Sequence, residues 1–283
     1  YTVCHLKYHT IVIDEAGQAL EPACWIPIVK AQKVVLAGDH CQLPPTIKSD
    51  EAARNGLSNT LLEKCVALHP ESVVLLEEQY RMNKLIMGYP SQVFYKSLLK
   101  AHASVADHRL HAGEGALSFI DTAGCGFDEK QEGTSISNPE EAAFLFRHLT
   151  AMVAGLRENH TPDMLPSIAI ISPYKQQIHV LREQLTHVPE LQPYLASIAI
   201  NTIDSFQGQE RDMVYISMTR SNNDGVIGFL SDTGRMNVAM TRARKKLVVI
   251  GDSATLTRLP FYDDFINYAQ AHEAYHSAWE FAE

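Results

Sequence analysis

The sequence has few cysteines and no long apolar runs. Its five cysteines are an odd number and form no CxxC pair, whereas disulfide frameworks and cysteine zinc sites need closely and regularly spaced cysteines. We therefore expect reduced thiols. No apolar run approaches the roughly 18 residues that cross a bilayer, and the first residues do not read as a secretory signal peptide. These absences predict an intracellular protein.

Positive charge is also scarce, because the formal net charge at pH 7 is -9. This balance argues against a protein that coats nucleic acid by bulk charge, although a local basic patch can still bind phosphates. One such patch is present, since Arg242, Arg244, Lys245 and Lys246 follow one another closely. Like charges at this spacing repel one another, so the patch indicates an anionic partner.

Short apolar runs rich in Val and Ile recur along the chain and end in small or acidic residues. Near-continuous apolarity is typical of strands buried on both faces. The pattern therefore predicts an α/β fold, a doubly wound parallel sheet covered by helices. The predicted strands are "HTIVIDEAG", "KVVLAGD", "SVVLLEEQ", "GALSFIDT", "SIAIISPY", "DMVYISMT" and "KLVVIGD".

The chain divides into a short first segment and a longer second one. Residues 1–70 hold only two clear strands, too few for an independent sheet, so we interpret them as the end of one domain. Residues 71–283 hold at least five strands and form a second domain in this interpretation. The polar stretch at 128–141 predicts a surface loop, and the residues from 139 onward a helix.

Two strand ends in the first segment carry polar side chains. "IVIDEAG" brings Asp14 and Glu15 to the carboxyl end of a strand, where one carboxylate can handle Mg²⁺ and the other can activate water. Alone, this pattern fits a surface turn equally well. "VVLAGDHCQLPPT" repeats this pattern of a strand followed by polar side chains, with Asp39 and Gln42 before two prolines. The repetition favours a nucleotide site.

Three stretches of the second segment offer further nucleotide contacts. Tyr80 and Arg81 place an aromatic face beside a guanidinium, which can stack on a base or hold a phosphate. Gly208 and Glu210 lie in a loop rich in hydroxyls, where glycine permits close backbone approach. Arg242 is expected to present a rigid guanidinium to a γ-phosphate and to stabilise charge that develops during phosphoryl transfer.

These motifs together resemble the superfamily-one helicases of the Upf-like group, which includes the nonsense-mediated decay helicase and Senataxin. The matching segments occur in family order and nearly span residues 11 to 244. They are "DEAGQA", "GDHCQLPP", "EQYRM", "ISPYKQQ", "TIDSFQGQE" and "GRMNVAMTRAR".

The resemblance implies roles for individual residues. The catalytic set would use Asp14 for Mg²⁺, Glu15 to polarise water, Gln42 to sense the γ-phosphate, and Arg81 and Arg242 to contact it. For nucleotide binding it implies Tyr80 and Glu210, to which the local patterns above add Gly208 and Asp39. The single-strand track would be lined by Pro44, Pro45, Pro173, Tyr174, Thr202 and Ser205.

The resemblance also implies two RecA-like domains that clamp ATP and step along single-stranded DNA or RNA. One departure is large, because the sequence contains no G-x-x-x-x-G-K-[ST] loop to cradle phosphates. We therefore expect an N-terminal half that carries this loop outside the sequence, and weak or no ATP hydrolysis by the chain alone.

Two alternatives remain open at this point. One is a non-catalytic nucleic-acid-binding module or scaffold that keeps the helicase fold. The other is a metabolic P-loop kinase or switch GTPase, which has no need of the motifs around residues 202–210 and 234–244.

Overall fold

The computed structural model describes residues 6–133, 135–157 and 166–281. The chain divides into two units, Tyr1–Leu75 and Leu76–Glu283, which we call the first and second unit. Their assignment to two RecA-like domains stays a prediction. Cys4 lies outside the described residues, and the other four cysteines are free thiols. Within the described ranges, no helix is both long and apolar enough to span a membrane.

The first unit contains a parallel pair of strands. β1 and β2 pair in register through Ile11 and Val34, and helix α1 connects them. A capping box at Thr60 begins the helix Leu61–Leu68. The Thr60 hydroxyl accepts from the main-chain NH of Glu63, and the Glu63 carboxylate accepts from the main-chain NH of Thr60. The elements are β1 Tyr8–Ile13, α1 Glu21–Ile28, β2 Ala31–Leu36, α2 Asp50–Ala52 and α3 Leu61–Leu68.

The second unit is built on a six-stranded sheet in the order β12-β5-β11-β10-β8-β9. All its strand pairs are parallel. The strands are β3 Glu78–Gln79, β4 Lys100–Ala101, β5 Leu117–Asp121, β6 Lys130–Glu132, β7 Ser135–Ser137, β8 Ile168–Ile171, β9 Ile198–Asn201, β10 Arg211–Ser217, β11 Ala243–Gly251 and β12 Tyr275–Ser277. The helices are α4 Lys84–Phe94, α5 Ala103–Ala106, α6 Pro139–Arg157, α7 Lys175–Thr186, α8 Thr233–Met240, α9 Ser253–Leu256 and α10 Pro260–Ala271.

Both faces of this sheet are buried. Ile168 and Ile170 pack into the core beneath α6 and α7, while Ala169 and Ile171, which alternate with them along β8, are also fully buried. The predicted α/β fold with a doubly wound parallel sheet is thus confirmed, and near-continuous apolarity was the correct indicator of it.

Three local predictions were wrong. The run "SVVLLEEQ" is not a buried strand, because only Glu78 and Gln79 pair, with β4, and Val74 is 83% exposed. β1 and β2 are strands but are not buried on both faces, since Val12 is 63% exposed. The predicted loop at 128–141 contains an antiparallel hairpin of β6 and β7. Apolarity alone predicted the first two. It does not report whether a neighbouring strand is present to pair, as for "SVVLLEEQ", or whether both faces are covered, as for β1 and β2.

A buried carboxyl group ties α6 to the sheet. Glu141 is fully buried and accepts from the hydroxyl of Ser217 and from the main-chain NH of Thr219, at 2.9 Å and 3.2 Å for its two oxygens. Gln177 donates to the Ser217 hydroxyl at 2.9 Å. Burial raises the pKa of Glu141 from 4.5 to about 8, because the interior disfavours the charged form.

This pKa predicts a pH-dependent stability. The folded chain keeps the Glu141 proton between pH 4.5 and about 8, while the unfolded chain releases it. The contribution of Glu141 to the free energy of unfolding should therefore be largest below pH 4.5 and should fall by up to about 1.4 kcal/mol per pH unit across that window. Urea unfolding of Glu141→Gln should lack this decline, because an amide does not titrate.

Glu140→Gln is the matched control, since Glu140 is the adjacent residue and pairs at the surface with Lys130 at 3.0 Å. Its loss should cost less than about 1 kcal/mol and leave the pH dependence in place. Parallel pH profiles for the wild type and Glu141→Gln would contradict the assignment.

Candidate functional site

In the first unit, two loops lie side by side at the carboxyl ends of β1 and β2. Ala16 donates its main-chain NH to the carbonyl of Ala37 at 2.8 Å. A Cβ on Gly38 would lie 2.8 Å from the nitrogen of Ala16, and one on Gly17 would lie 2.6 Å from the carbonyl oxygen of Asp39. Only glycines allow this approach, so the sequence of both loops brings the two predicted groups of polar residues together.

The two carboxylates of the first loop are exposed. Asp14 accepts from the main-chain NH of Glu15 at 2.9 Å through one oxygen, and Glu15 accepts from the Gln18 amide at 2.8 Å. Glu15 has a φ of 52°, a conformation that non-glycine residues adopt at some cost. Two adjacent exposed carboxylates thus follow the end of β1 directly, and carboxylate oxygens are ligands that can hold a hard cation.

The second loop holds Gln42 in place. Asp39 accepts from the Gln42 amide at 2.6 Å and from the main-chain NH of Cys41 at 2.9 Å. Asp39, His40 and Cys41 also place one potential metal-ligand atom each within 4.8 Å of one another. Burial and the nearby Asp39 raise the pKa of the Cys41 thiol to about 11, so it is a poor metal ligand at neutral pH.

In the second unit, three distant segments bring charged groups into one cluster. Arg81 donates to Glu210 at 2.9 Å and to the carbonyl of Thr241 at 3.2 Å. The second oxygen of Glu210 lies 3.6 Å from Arg244, which also lies 3.9 Å from Asp212. We call Arg81, Glu210 and Arg244 the arginine cluster. Its side chains are all between one third and one half exposed, so a ligand can reach them.

Arg242 lies beneath this cluster. It is only 3% exposed, and its guanidinium donates to the carbonyls of Val238 and Gln209 at 3.0 Å and 3.3 Å and to the Thr241 hydroxyl at 3.3 Å. The sequence predicted Arg242 as the projecting guanidinium. The structure makes Arg244 the more accessible of the two, and the spacing within one basic run could not distinguish them.

The remaining basic residues of the run are paired within the chain. Lys245 lies 3.0 Å from Asp212. Lys246 is buried and donates to the carbonyl of Gly115 at 2.7 Å, to the hydroxyl of Ser118 at 2.9 Å and to Glu114. Burial lowers the pKa of Lys246. Carboxylates of this acidic chain therefore provide the compensating negative charge that the sequence analysis expected from an external anion.

Tyr80 and Gly208 each lie close in sequence to a member of the arginine cluster. Tyr80 is 61% exposed, and its ring stacks on His102 with centroids 4.4 Å apart. Its hydroxyl donates to Glu78 at 2.8 Å. Gly208 has a φ of 71°, which favours glycine, and it lies two residues before Glu210. Both observations fit groups that approach a ligand, and neither identifies one.

The residues predicted to line a single-strand track lie mainly at the opposite edge of the sheet. Pro173 follows β8 and Thr202 follows the neighbouring parallel strand β9, so both lie at the carboxyl edge, where the hydroxyls of Thr202 and Ser205 are 3.3 Å apart. Glu210, by contrast, immediately precedes β10 at the amino edge. Tyr174 is 3% exposed, so its ring supports the edge from within.

The predicted track residues of the first unit differ in accessibility. Pro44 is exposed, whereas Pro45 is buried. A direct contact of a ligand with the Pro45 side chain therefore has less support than one with Pro44.

The six-stranded parallel sheet places the second unit in the RecA-like α/β class. A family model described as an AAA domain matches residues 57–254, and a second model with the same description matches residues 2–50. The chain belongs to this family and, within it, to the Upf-like superfamily-one helicases, which confirms the resemblance read from the motifs.

Several curated proteins are similar over nearly the whole chain. The chain is 40% identical to the DNA-binding protein SMUBP-2 of Rattus norvegicus, over 97% of its own length and 28% of that protein. It is 36% identical to the uncharacterized ATP-dependent helicase MJ0104 of Methanocaldococcus jannaschii, over 95% and 40%. It is 33% identical to the regulator of nonsense transcripts 1 homolog of Arabidopsis thaliana, over 95% and 22%.

The chain thus spans less than half of each of these relatives. A PRRSV helicase structure is similar with a TM-score of 0.42 and 15% identity, over 86% of this chain and 34% of that one. This likeness is too low to support conclusions about function.

Proposed function

We propose that this chain is part of the motor of an ATP-dependent helicase or translocase that acts on single-stranded nucleic acid. The observation that carries the proposal is the arginine cluster, in which residues 81, 210 and 244 meet although they are far apart in sequence. Arginine side chains that can donate two hydrogen bonds to phosphate oxygens suit a nucleoside triphosphate. Membership in the Upf-like helicases supports the same reaction class.

In this proposal, a phosphate competes with Glu210 for the guanidinium groups. Glu210 compensates the charge of Arg81 and Arg244, and an anionic phosphate can replace it at both. The Glu210 carboxylate is then free to accept from sugar hydroxyls, while Tyr80 offers an exposed ring for a base. Arg242 would need to leave the carbonyls of Val238 and Gln209 to contact a phosphate, whereas Arg244 needs no such change.

The first unit supplies the groups that handle metal and water in this proposal. Asp14 fits Mg²⁺ because its carboxylate is exposed and only one of its oxygens has a partner among the described residues. Bound Mg²⁺ would neutralise phosphate charge there. Glu15 would accept a proton from the attacking water, and Gln42, held by Asp39, would donate to a phosphate oxygen.

We further propose that an N-terminal RecA-like half with a phosphate-cradling loop completes the first unit. Exposed apolar side chains of the first unit support this proposal. They are Val12, Ile26, Val29 and Val74, with 63%, 67%, 66% and 83% of their surface exposed. Apolar surface of this kind is normally covered by further protein. Without such a loop, the chain alone is expected to hydrolyse ATP weakly or not at all.

Single-strand binding by the chain is a direct test. Fluorescence anisotropy with matched DNA and RNA oligomers should show binding that weakens linearly with the logarithm of salt concentration. Ser205→Ala should weaken binding about threefold to tenfold, the range of one lost hydrogen bond. Ser72→Ala, at an exposed serine of the first unit, is the control and should bind normally. Absence of binding at low salt would contradict the single-strand proposal.

One observation favours a second candidate, a non-catalytic binding module that keeps the helicase fold. Arg242 is buried and engaged by main-chain carbonyls of its own unit, which is also what a purely structural arginine would show. Binding of single-stranded nucleic acid is common to both candidates, whereas ATP turnover by the complete motor distinguishes them.

A further inference from the structure

A polar cavity lies at the carboxyl edge of the second unit, away from the arginine cluster. Its volume is about 490 Å³, within the range of small-molecule sites. Three segments line it. Residues 122–128 follow β5, residues 221–225 follow β10, and residues 252–258 follow β11. The carboxyl edge of a parallel sheet is where open α/β folds bind ligands.

Internal hydrogen bonds hold the walls of this cavity in place. Asp252 accepts from the hydroxyls of Ser221 and Thr255, both at 2.9 Å. Glu129 accepts from the main-chain NH of Ser221 and the side-chain amide of Asn222, both at 3.0 Å. The loops are therefore fixed to one another before any ligand arrives, which lowers the entropic cost of binding.

Other polar side chains of the cavity have no partner among the described residues. The hydroxyl of Thr122 has no hydrogen bond although this residue is only 3% exposed. Asp128, Asn223 and Arg258 are exposed lining residues, and none has a side-chain hydrogen bond or ion pair within the described part of the chain. The cavity thus combines a rigid wall with a free carboxylate, a free amide and a free guanidinium.

The charges of the cavity decide which ligand suits it. Asp252 and Asp128 outnumber Arg258, so a phosphate group would be repelled. A neutral nucleobase avoids this repulsion. Its exocyclic amino group can donate to Asp128, a carboxylate that only accepts, while Asn223 and Arg258 can donate to ring nitrogens and carbonyls. Phe127 also lines the cavity, but its ring packs on Phe144 with centroids 6.1 Å apart, so the polar contacts carry the selectivity.

The cavity adjoins the proposed single-strand track. The loop that carries Asn223 continues to Ile227, whose carbonyl accepts from the Tyr174 hydroxyl at 3.4 Å. A Cβ on Gly228 would lie 2.9 Å from both that hydroxyl and Arg220, so only glycine fits here. β8, which ends just before Pro173, and β10, which ends before the loop of Asn223, are neighbouring parallel strands, so the proposed track and the cavity lie at adjacent positions on the same edge of the sheet.

We propose that this cavity binds one unstacked base of the single strand and prefers bases that carry an amino group. The inference rests on the proposed single-strand function and adds base selectivity to it. Cytosine should bind better than uracil, because uracil offers a carbonyl where cytosine offers an amino group to Asp128.

The test is fluorescence anisotropy of the whole chain with short oligocytidylate and oligouridylate of equal length, together with the oligodeoxycytidylate and oligothymidylate counterparts. The wild type should bind the cytosine oligomers about fivefold tighter, as one or two hydrogen bonds to a base edge allow. Asp128→Ala should reduce this ratio to near one. Asp224→Ala is the matched control, because Asp224 is exposed in the same loop but does not line the cavity.

Each outcome decides a separate question. A cytosine preference that disappears in Asp128→Ala and persists in Asp224→Ala supports the base pocket. Binding without a preference, or a preference that survives in Asp128→Ala, overturns the base pocket and leaves the single-strand function intact. Failure of all four oligomers to bind overturns both.

Discussion

Replacing Arg242 with alanine in the proposed complete motor is expected to lower the kcat of ATP hydrolysis by a factor on the order of 10³, as losses of arginine fingers do. In the proposed mechanism the guanidinium would stabilise negative charge that develops on the transferred phosphoryl group, whereas the methyl group of alanine offers no such stabilisation. Apparent affinity for ATP should change less, because the interaction is strongest in the transition state. Steady-state kinetics with saturating single strand measures both quantities.

The burial of Arg242 requires controls for folding. Its loss also removes hydrogen bonds to Val238, Gln209 and Thr241, so thermal unfolding of each variant must be measured alongside turnover. Arg244→Ala is the informative partner, since this residue is partly exposed beside Glu210. A folded Arg242→Ala protein with near-normal turnover would exclude Arg242 from the reaction. Loss of turnover in Arg244→Ala alone would transfer the phosphate contact to Arg244.

Glu15→Gln in the complete motor should reduce turnover about 10²-fold to 10⁴-fold, the range attributed to a general base. The amide keeps the shape of the carboxylate but cannot take a proton from water. ATP binding should persist. Turnover is measured by phosphate release and binding by a fluorescent nucleotide.

Glu21→Gln is the matched control in the same unit, because Glu21 forms an ion pair with Lys64 that is unrelated to the loop of Glu15. It should leave turnover unchanged. A strong ATPase of the present chain alone, abolished by Glu15→Gln, would show that these 283 residues need no further phosphate cradle. That result would contradict the proposed N-terminal half.

Local patterns predicted β5, β8, β10 and β11 of the second unit's sheet but not its edge strands β9 and β12 or the hairpin of β6 and β7. β8 and the part of β10 from Met213 onward were predicted because strands buried on both faces are almost continuously apolar. Val73 to Leu76 have the same composition and form no strand, because a strand also needs a neighbour to pair with. The hairpin at residues 130–137 was missed since its strands are short and polar.

The motifs named two members of the arginine cluster, Arg81 and Glu210, but not Arg244, and they did not indicate how these residues are arranged. Motif order marked Arg81, Glu210 and Arg242, and the roles of these residues stay predictions. The ion pairs of Glu210 with Arg81 and Arg244, and the burial of Arg242 beneath them, depend on how α8, β10 and β11 pack. The cavity beside Asn223 carried no sequence signal, since its lining comes from three separate loops.

The sequence by itself determined the α/β class and the family, because strand periodicity and short motifs are properties of neighbouring residues. Tertiary structure alone decided which basic side chains are accessible, which are neutralised by Glu114, Glu210 and Asp212, and which edge of the sheet each motif occupies. The physical reason is that burial and ion pairing depend on contacts between residues far apart in the chain. Spacing along the sequence does not contain those distances.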